Sequence, residues 1–241
     1  RSIDGKNTVS DYFPVEKEYG YSVFSTLIQT EWLDKKLNIL DCPGSDDFIG
    51  GVVTSLNVTD TAVILINAQY GVEVGTNNHF RYTEKFNKPV IFVVNQLDHE
   101  KADFDRAVEQ LKENYGGKVV LIQYPVNVGP QFNAVVDVLK MKLYRWKPEG
   151  GEPEILDIPA DEMDKAQELH NTLVESAAEH DEALMEKFFD QGSLDEEEMR
   201  IGIRAGLLHR DMFPVFCVDG HKDMGVRRLM EFLGNIVPNV N

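Results

Sequence analysis

Asp41 and Gly44 close the run Leu37-Asn38-Ile39-Leu40-Asp41-Cys42-Pro43-Gly44, an apolar strand pattern that ends in a tight turn. A carboxylate at the C-terminal end of a strand can reach a Mg2+ ion, often through water. A glycine three residues later lets a backbone N–H approach a terminal phosphate. Turns after strands also favour Asp, Pro and Gly for their own geometry, so this spacing alone leaves both readings open.

A second apolar run, Val90 to Val94, ends in Asn95-Gln96-Leu97-Asp98. An Asp carboxylate can accept both N–H groups on the Watson–Crick edge of guanine, while the Asn pins the loop. Adenine has no matching donor pair. A charge-assisted bond of this kind contributes about 1.5–3 kcal/mol. An ordinary turn is again the competing reading. Asp41 and Asn95 lie 54 residues apart, with one strand–helix unit between them. That arrangement brings both loops to one edge of a sheet, where open α/β folds bind ligands. A third loop, Val218-Asp219-Gly220-His221-Lys222, follows the last strand pattern and is placed to close over a base.

The elements that must position these loops alternate. Strand patterns cover residues 22–28, 37–40, 62–66, 90–94, 119–123 and 215–218, and helical patterns cover 47–57, 76–86, 101–115 and 225–233. Strands separated by helices imply parallel pairing in a sheet covered on both faces. The rhythm breaks after Pro125. A Pro- and Gly-rich linker over 147–159 leads into an amphipathic helix with Ala166, Leu169, Leu173 and Ala177 on one face. Ser193 and Glu196 match a capping box for a second helix. The rhythm resumes at Phe213. Residues 1–125 and 213–241 therefore read as one α/β core, and 126–212 as an inserted subdomain.

The 241 residues suffice for one such domain. The formal net charge of −17 disfavours broad binding to nucleic acid phosphates, so DNA is not an expected partner. Much of the excess is local: residues 152–200 hold 17 acidic and 3 basic side chains. No run approaches the ~18–20 apolar residues that cross a bilayer, and no membrane association is expected. Cys42 and Cys217 show neither metal-ligand spacing nor a disulfide framework, which favours a cytoplasmic location. The histidines have no metal-site spacing, and Trp32 and Trp146 read as packing residues.

Over essentially its whole length the sequence resembles the GTP-binding domain of translation elongation factor G. Asp11 to Val23, including Glu16, Tyr19, Gly20, Tyr21 and Ser22, looks like the first switch region. Asp41-Cys42-Pro43-Gly44-Ser45 looks like the second switch, and Asn95-Gln96-Leu97-Asp98 like the guanine-recognition loop. Phe213 to Cys217, with the loop through Asp219 and Gly220 to Gly225 and Val226, looks like the last base-contacting segment. The segment from Glu175 to Phe188 resembles that family's insert. The resemblance implies a P-loop-type, doubly wound, mostly parallel α/β sheet with a helical α/β insert. It implies GTP or GDP with Mg2+ as ligand, the metal meeting Ser22 and Asp41. It also implies a ribosome-bound GTPase that promotes translocation. Peptide-chain release factor 3 and tetracycline-type ribosome protection factors are the neighbouring jobs within this class.

Several positions depart from the family pattern. The phosphate-cradling GxxxxGK[ST] loop and the central strand that feeds it are not found in these residues. A gap is expected between the strands ending at Leu40 and Ile66, and weak nucleotide binding by these residues alone. The chain opens on Arg1, and the natural start is expected to lie upstream. The family's imidazole after the switch glycine is replaced by Ser45, its lysine in the guanine loop by Gln96, and its usual serine by Asp219. Tyr19 and Tyr21 flank the switch glycine. A positioned orienting or proton-transferring group contributes roughly 10²–10⁴ in rate, so Ser45 also admits a pseudo-GTPase that binds the ribosome and hydrolyses weakly. In this family the insert docks a ribosomal stalk protein. Glu168, Glu175, Glu179 and Glu182, spaced 7, 4 and 3, are expected to form one acidic stripe there, unless they are only a solvated face.

Overall fold

The computed structural model describes Gly5 and residues 7–238. A short helix α1 (Pro14–Tyr19) precedes the strands β1 (Thr26–Trp32) and β2 (Lys35–Asp41), which pair antiparallel. Leu33 and Asp34 both take positive φ, 47° and 60°, as a two-residue hairpin turn requires. The parallel expectation applies to strands separated by helices, and no helix separates this pair. Only two residues join the strands, too few for a crossover.

The core sheet is parallel. Its strands are β3 (Ala62–Asn67), β4 (Val90–Asn95), β5 (Val119–Leu121) and β10 (Phe213–Cys217), in the spatial order β3-β4-β10-β5. Helices α2 (Ile49–Val58), α3 (Val74–Lys85), α4 (Phe104–Tyr115) and α8 (Val226–Asn235) complete the layers. Val90 to Val94 are all fully buried, which explains a strand apolar on both faces. Phe80, Phe92, Tyr115 and Phe213 form an aromatic cluster beneath it, with Phe80 and Tyr115 centroids 4.1 Å apart. The β1–β2 hairpin and this sheet share no strand pairing. Among the described residues β3 is an end strand of this sheet, and one of its faces is uncovered, with Val63 40% and Leu65 62% exposed.

The insert holds a second sheet, antiparallel, of β6 (Gln123–Pro125), β7 (Ala134–Asp137), β8 (Lys142–Arg145) and β9 (Glu154–Leu156). It begins before residue 126, inside the strand expected over 119–123. Ile122 is the switch point: its N–H still pairs with Val215 of β10, while its carbonyl accepts from Val138 beside β7. Helices α5 (Ala160–Ala178), α6 (Glu182–Gln191) and α7 (Glu196–His209) follow. Ala166, Leu173 and Ala177 are buried, and α5 packs on α7 so closely that a Cβ at Gly202 would come 2.3 Å from the Ala177 carbonyl oxygen. Asp195, not Ser193, caps α7. Its carboxylate accepts from the Glu198 amide at 3.0 Å, and Glu198 returns the contact to the Asp195 amide at 2.8 Å. Among the described residues no helix is long and apolar enough to cross a membrane.

Candidate nucleotide site

Two adjacent parallel strands, β4 and β10, carry the best-formed part of the site at their C-terminal ends. Asn95 is the last residue of β4, and its Oδ1 accepts from the Gly220 amide at 3.0 Å. Gln96 takes a left-handed φ of 62°, and its Oε1 accepts from Asn67 Nδ2 at 2.7 Å. Leu97 is fully buried and anchors the loop, its carbonyl accepting from the Gly129 amide at 2.7 Å. Leu97 thus presents no side chain to a ligand. That turn leaves Asp98 partly exposed, with Oδ2 3.0 Å from Lys222 Nζ.

The loop after β10 is tightly cross-linked. Asp219 and Met224 exchange backbone hydrogen bonds at 2.9 and 3.0 Å. Asp219 Oδ1 accepts from the amides of His221 and Lys222. Asp219 is 1% exposed, and its Oδ2 has no hydrogen-bond partner. Burial, then the neighbouring Asp98 carboxylate, push its carboxyl above the usual range, against the pull of the two amides. Lys222, which the motif carries only as a loop residue, therefore stands between two carboxylates, 4.0 Å from Asp219 Oδ2.

The switch-like segments form a second cluster around the hairpin. Asp41 ends β2, Pro43 is buried, and Gly44 and Ser45 are exposed. Gly44 has no positive φ, and nothing lies within 4 Å of the place a Cβ would take. Cys42 is a free thiol that accepts from Ser25 Oγ at 3.6 Å and donates to the Leu40 carbonyl. Ser45 caps a 3-10 turn over Asp46–Phe48, its Oγ accepting from the Asp47 amide at 3.4 Å. The turn after β2 is braced by α3: Asn78 Nδ2 donates to Asp46 Oδ2 at 2.8 Å, and Gly75 packs on the Gly44 carbonyl. Burial lowers the His79 pKa beside them, with Asp46 opposing.

The structure does not join Ser22 directly to Asp41. The Ser22 hydroxyl donates to Asp11 Oδ1 at 2.7 Å. Among the described residues no group of three or more His, Cys, Asp or Glu could hold a metal ion. A Mg2+ ion bound by phosphates and water needs only one or two protein oxygens, however, and the Asp41 carboxylate with the Ser22 hydroxyl oxygen fits that donor set.

Glu16, which the motif reading includes without a role, organises the first switch-like segment. It is 1% exposed, and its carboxylate accepts from the amides of Val23, Phe24 and Phe13 at 3.1, 3.1 and 3.2 Å. A carboxylate two residues after Pro14, at the third position of a short helix, is the one sequence signal for it.

Glu168, Glu175 and Glu179 are exposed along or just past α5. Glu182 does not continue the stripe. α5 stops at Ala178, and Asp181 caps a new helix on which Glu182 is the first residue. The expected 7-4-3 spacing therefore spans two helices, with the third interval crossing a turn.

Comparison with known proteins places this arrangement. The family model described as "Elongation factor Tu GTP binding domain" matches residues 1–239. A crystal structure of a protein from Thermus thermophilus superposes with a TM-score of 0.91 at 25% identity, over 99% of this chain. The chain spans 36% of that protein's length.

Proposed function

The chain belongs to the elongation factor Tu GTP-binding domain family, and from that premise we propose that it serves as the nucleotide domain of a ribosome-bound GTPase of elongation factor G type, acting in translocation. The guanine-binding part of this reading rests on one observation: Asn95, Asp98, Asp219 and Gly220 meet at the ends of neighbouring strands. Asp98 reads the base, Asn95 ties the two loops together, Gln96 and Gly220 shape the pocket wall, and buried Leu97 anchors the loop from beneath. Gly44 supports a phosphate role for the second switch. The fold places no steric demand on that position, whereas a phosphate approaching the amide does. Asp41, Cys42, Pro43 and Ser45 make up the rest of that turn. Mg2+, held by Asp41 and Ser22 together with phosphate, would neutralise charge there.

Competition between GTP and xanthosine triphosphate tests the base reading. Asp98→Asn removes the acceptor pair and relaxes the choice of base. An unchanged preference for GTP would leave Asp98 a turn residue only.

The elongation factor G assignment draws on the insert between β5 and β10 and on its acidic helix. A basic face of the ribosomal stalk protein is the partner we assign to Glu168, Glu175 and Glu179, with Glu182 at the margin. Reversing the first three to Lys should reduce ribosome-dependent activity and spare nucleotide binding. Equal activity would remove that docking role.

Ser45 favours a second reading, a ribosome-binding pseudo-GTPase. Its hydroxyl is engaged in capping the turn and does not supply the family's imidazole. Single-turnover hydrolysis with ribosomes in excess should then be slow, with GTP affinity nearly intact. Fast hydrolysis by the wild type sinks this second reading. Acceleration by Ser45→His would place the deficit at that residue.

A further inference from the structure

Arg228 holds the insert to the core with only part of its guanidinium. Nε meets Asp137 Oδ2 at 2.7 Å, and Nη1 lies 3.4 Å from Glu231 Oε2. Nη2 is buried and has no hydrogen-bond partner among the described residues. It carries two N–H donors, and a buried donor without an acceptor is destabilising. Arg228 is 5% exposed. It lines a cavity of about 270 Å³ at the seam where the turn between β7 and β8 and the start of α7 meet α8. Lys140 of the turn and Arg200 of α7 line the same cavity, with Leu139 and Ile236, backed by Phe232, as its apolar wall. None of the nucleotide-site candidates lines it.

We propose that this cavity binds a small aliphatic monocarboxylate, with Arg228, Arg200 and Lys140 around the carboxylate and the alkyl part against the apolar wall.

Charge decides the ligand class. Lys140 is paired with Glu196 and Arg200 with Glu197, but these two glutamate side chains are 80% and 60% exposed. Ion pairs to solvent-exposed partners contribute little and are screened by salt. An entering anion therefore displaces both glutamates at small cost, and they return to water. Three cations, Lys140, Arg200 and Arg228, then face two carboxylates, Asp137 and Glu231. One positive charge is left over, which a single carboxylate balances. That carboxylate also supplies the acceptor that Nη2 lacks, in the planar form that a guanidinium matches.

Size and lining narrow the class further. Ligand pockets run from roughly 300 Å³ upward, so a cavity of about 270 Å³ takes a molecule of only a few carbons. An alkyl chain against Leu139 and Ile236 leaves water with a favourable hydrophobic contribution. Inorganic phosphate offers nothing to that wall and brings more charge than the site balances. A neutral amide of the same shape fills the space but leaves the extra positive charge unmatched.

Calorimetric titration of the chain with butyrate, butyramide and inorganic phosphate tests the site, alongside NMR of the arginine side-chain N–H groups. Butyrate should bind once per chain and shift the Arg228 signals, with butyramide and phosphate each at least about tenfold weaker. Lys140→Gln combined with Arg200→Gln removes two cations whose partners are exposed. The fold should hold by circular dichroism, while butyrate affinity falls at least about tenfold. Asn235→Glu places a carboxylate beside the cavity at the exposed end of α8 and should weaken butyrate too. Butyramide or phosphate binding as tightly as butyrate overturns the monocarboxylate. Arg228 signals unmoved by butyrate, or butyrate affinity unchanged in the Lys140 and Arg200 double variant, overturns the site itself, and water then meets the Nη2 donor.

Discussion

Asn95 Oδ1 accepts from the Gly220 amide at 3.0 Å, joining loops that lie 125 residues apart in sequence. β4 and β10 run parallel as neighbours, so their C-terminal ends emerge together and one short side chain can bridge them. Asn95→Ala should leave the sheet intact, because Val94 still pairs with the Val218 amide. We expect the variant to lose about 1 kcal/mol of stability and the Gly220 amide to exchange about fivefold faster. Hydrogen exchange resolved at Gly220 checks this; unchanged protection would mean another acceptor holds the loop.

The linker around Gly150 and the loop after β10 constrain each other. Gly150 has φ +76°, and a Cβ there would fall 1.6 Å from the Lys222 carbonyl oxygen, whereas Gly151, at φ +89°, has open space. Gly151→Ala should cost only the left-handed backbone penalty, about 1–2 kcal/mol. Gly150→Ala should cost more and displace the loop carrying Asp219 and Lys222. Urea midpoints of the two variants decide it, and equal losses would show that the linker yields to the clash.

Glu16 holds the first switch-like segment by three amides. Hydrogen bonds to a charged acceptor contribute about 1.5–3 kcal/mol each. Glu16→Ala should release residues 11–25 to proteolysis and remove the exchange protection of the Val23 and Phe24 amides. The parallel sheet should stay folded by circular dichroism. Resistance equal to wild type would place the ordering of this segment in the aromatic contacts of Phe13 with Tyr12 and Phe24 instead.

The insert is locked to the core by a buried ion pair. Arg228 Nε on α8 meets Asp137 Oδ2 on β7 at 2.7 Å, with Arg228 5% and Asp137 0% exposed. Gln123 Nε2 donates to the same oxygen at 3.1 Å, and the Lys140 amide to Oδ1 at 2.9 Å. Removing the guanidinium leaves a buried carboxylate with two neutral donors. Arg228→Met should therefore destabilise by about 3–5 kcal/mol, and adding Asp137→Leu should recover much of the loss. Thermal or urea denaturation of the single and double variants measures both effects. A double variant no better than the single would place the loss in packing around α8.

The sequence by itself determined the elements whose signal is local. Val90 to Val94 is apolar at every position, and a strand between helix patterns must then be buried on both faces. The candidate residues Asp41, Gly44, Asn95, Asp98 and Asp219 were picked out for the same reason, each sitting at or just past the end of a strand pattern. Contacts between distant segments were decided only by the tertiary structure. That Lys222 lies between Asp98 and Asp219, and that Arg228 meets Asp137 across 91 residues, follows from β10 entering between β4 and β5. No spacing rule encodes that placement. The role of Glu16 was not legible because its carboxylate's partners, Val23 and Phe24, become neighbours only when the chain folds back over α1. Where two local signals competed, tertiary geometry chose. Asp195 displaced Ser193 as the cap of α7, since its carboxylate and that of Glu198 satisfy each other's backbone amides. The turn at Asp181 moved Glu182 onto another helix, because its carboxylate captures the free amides of Ala183 and Leu184.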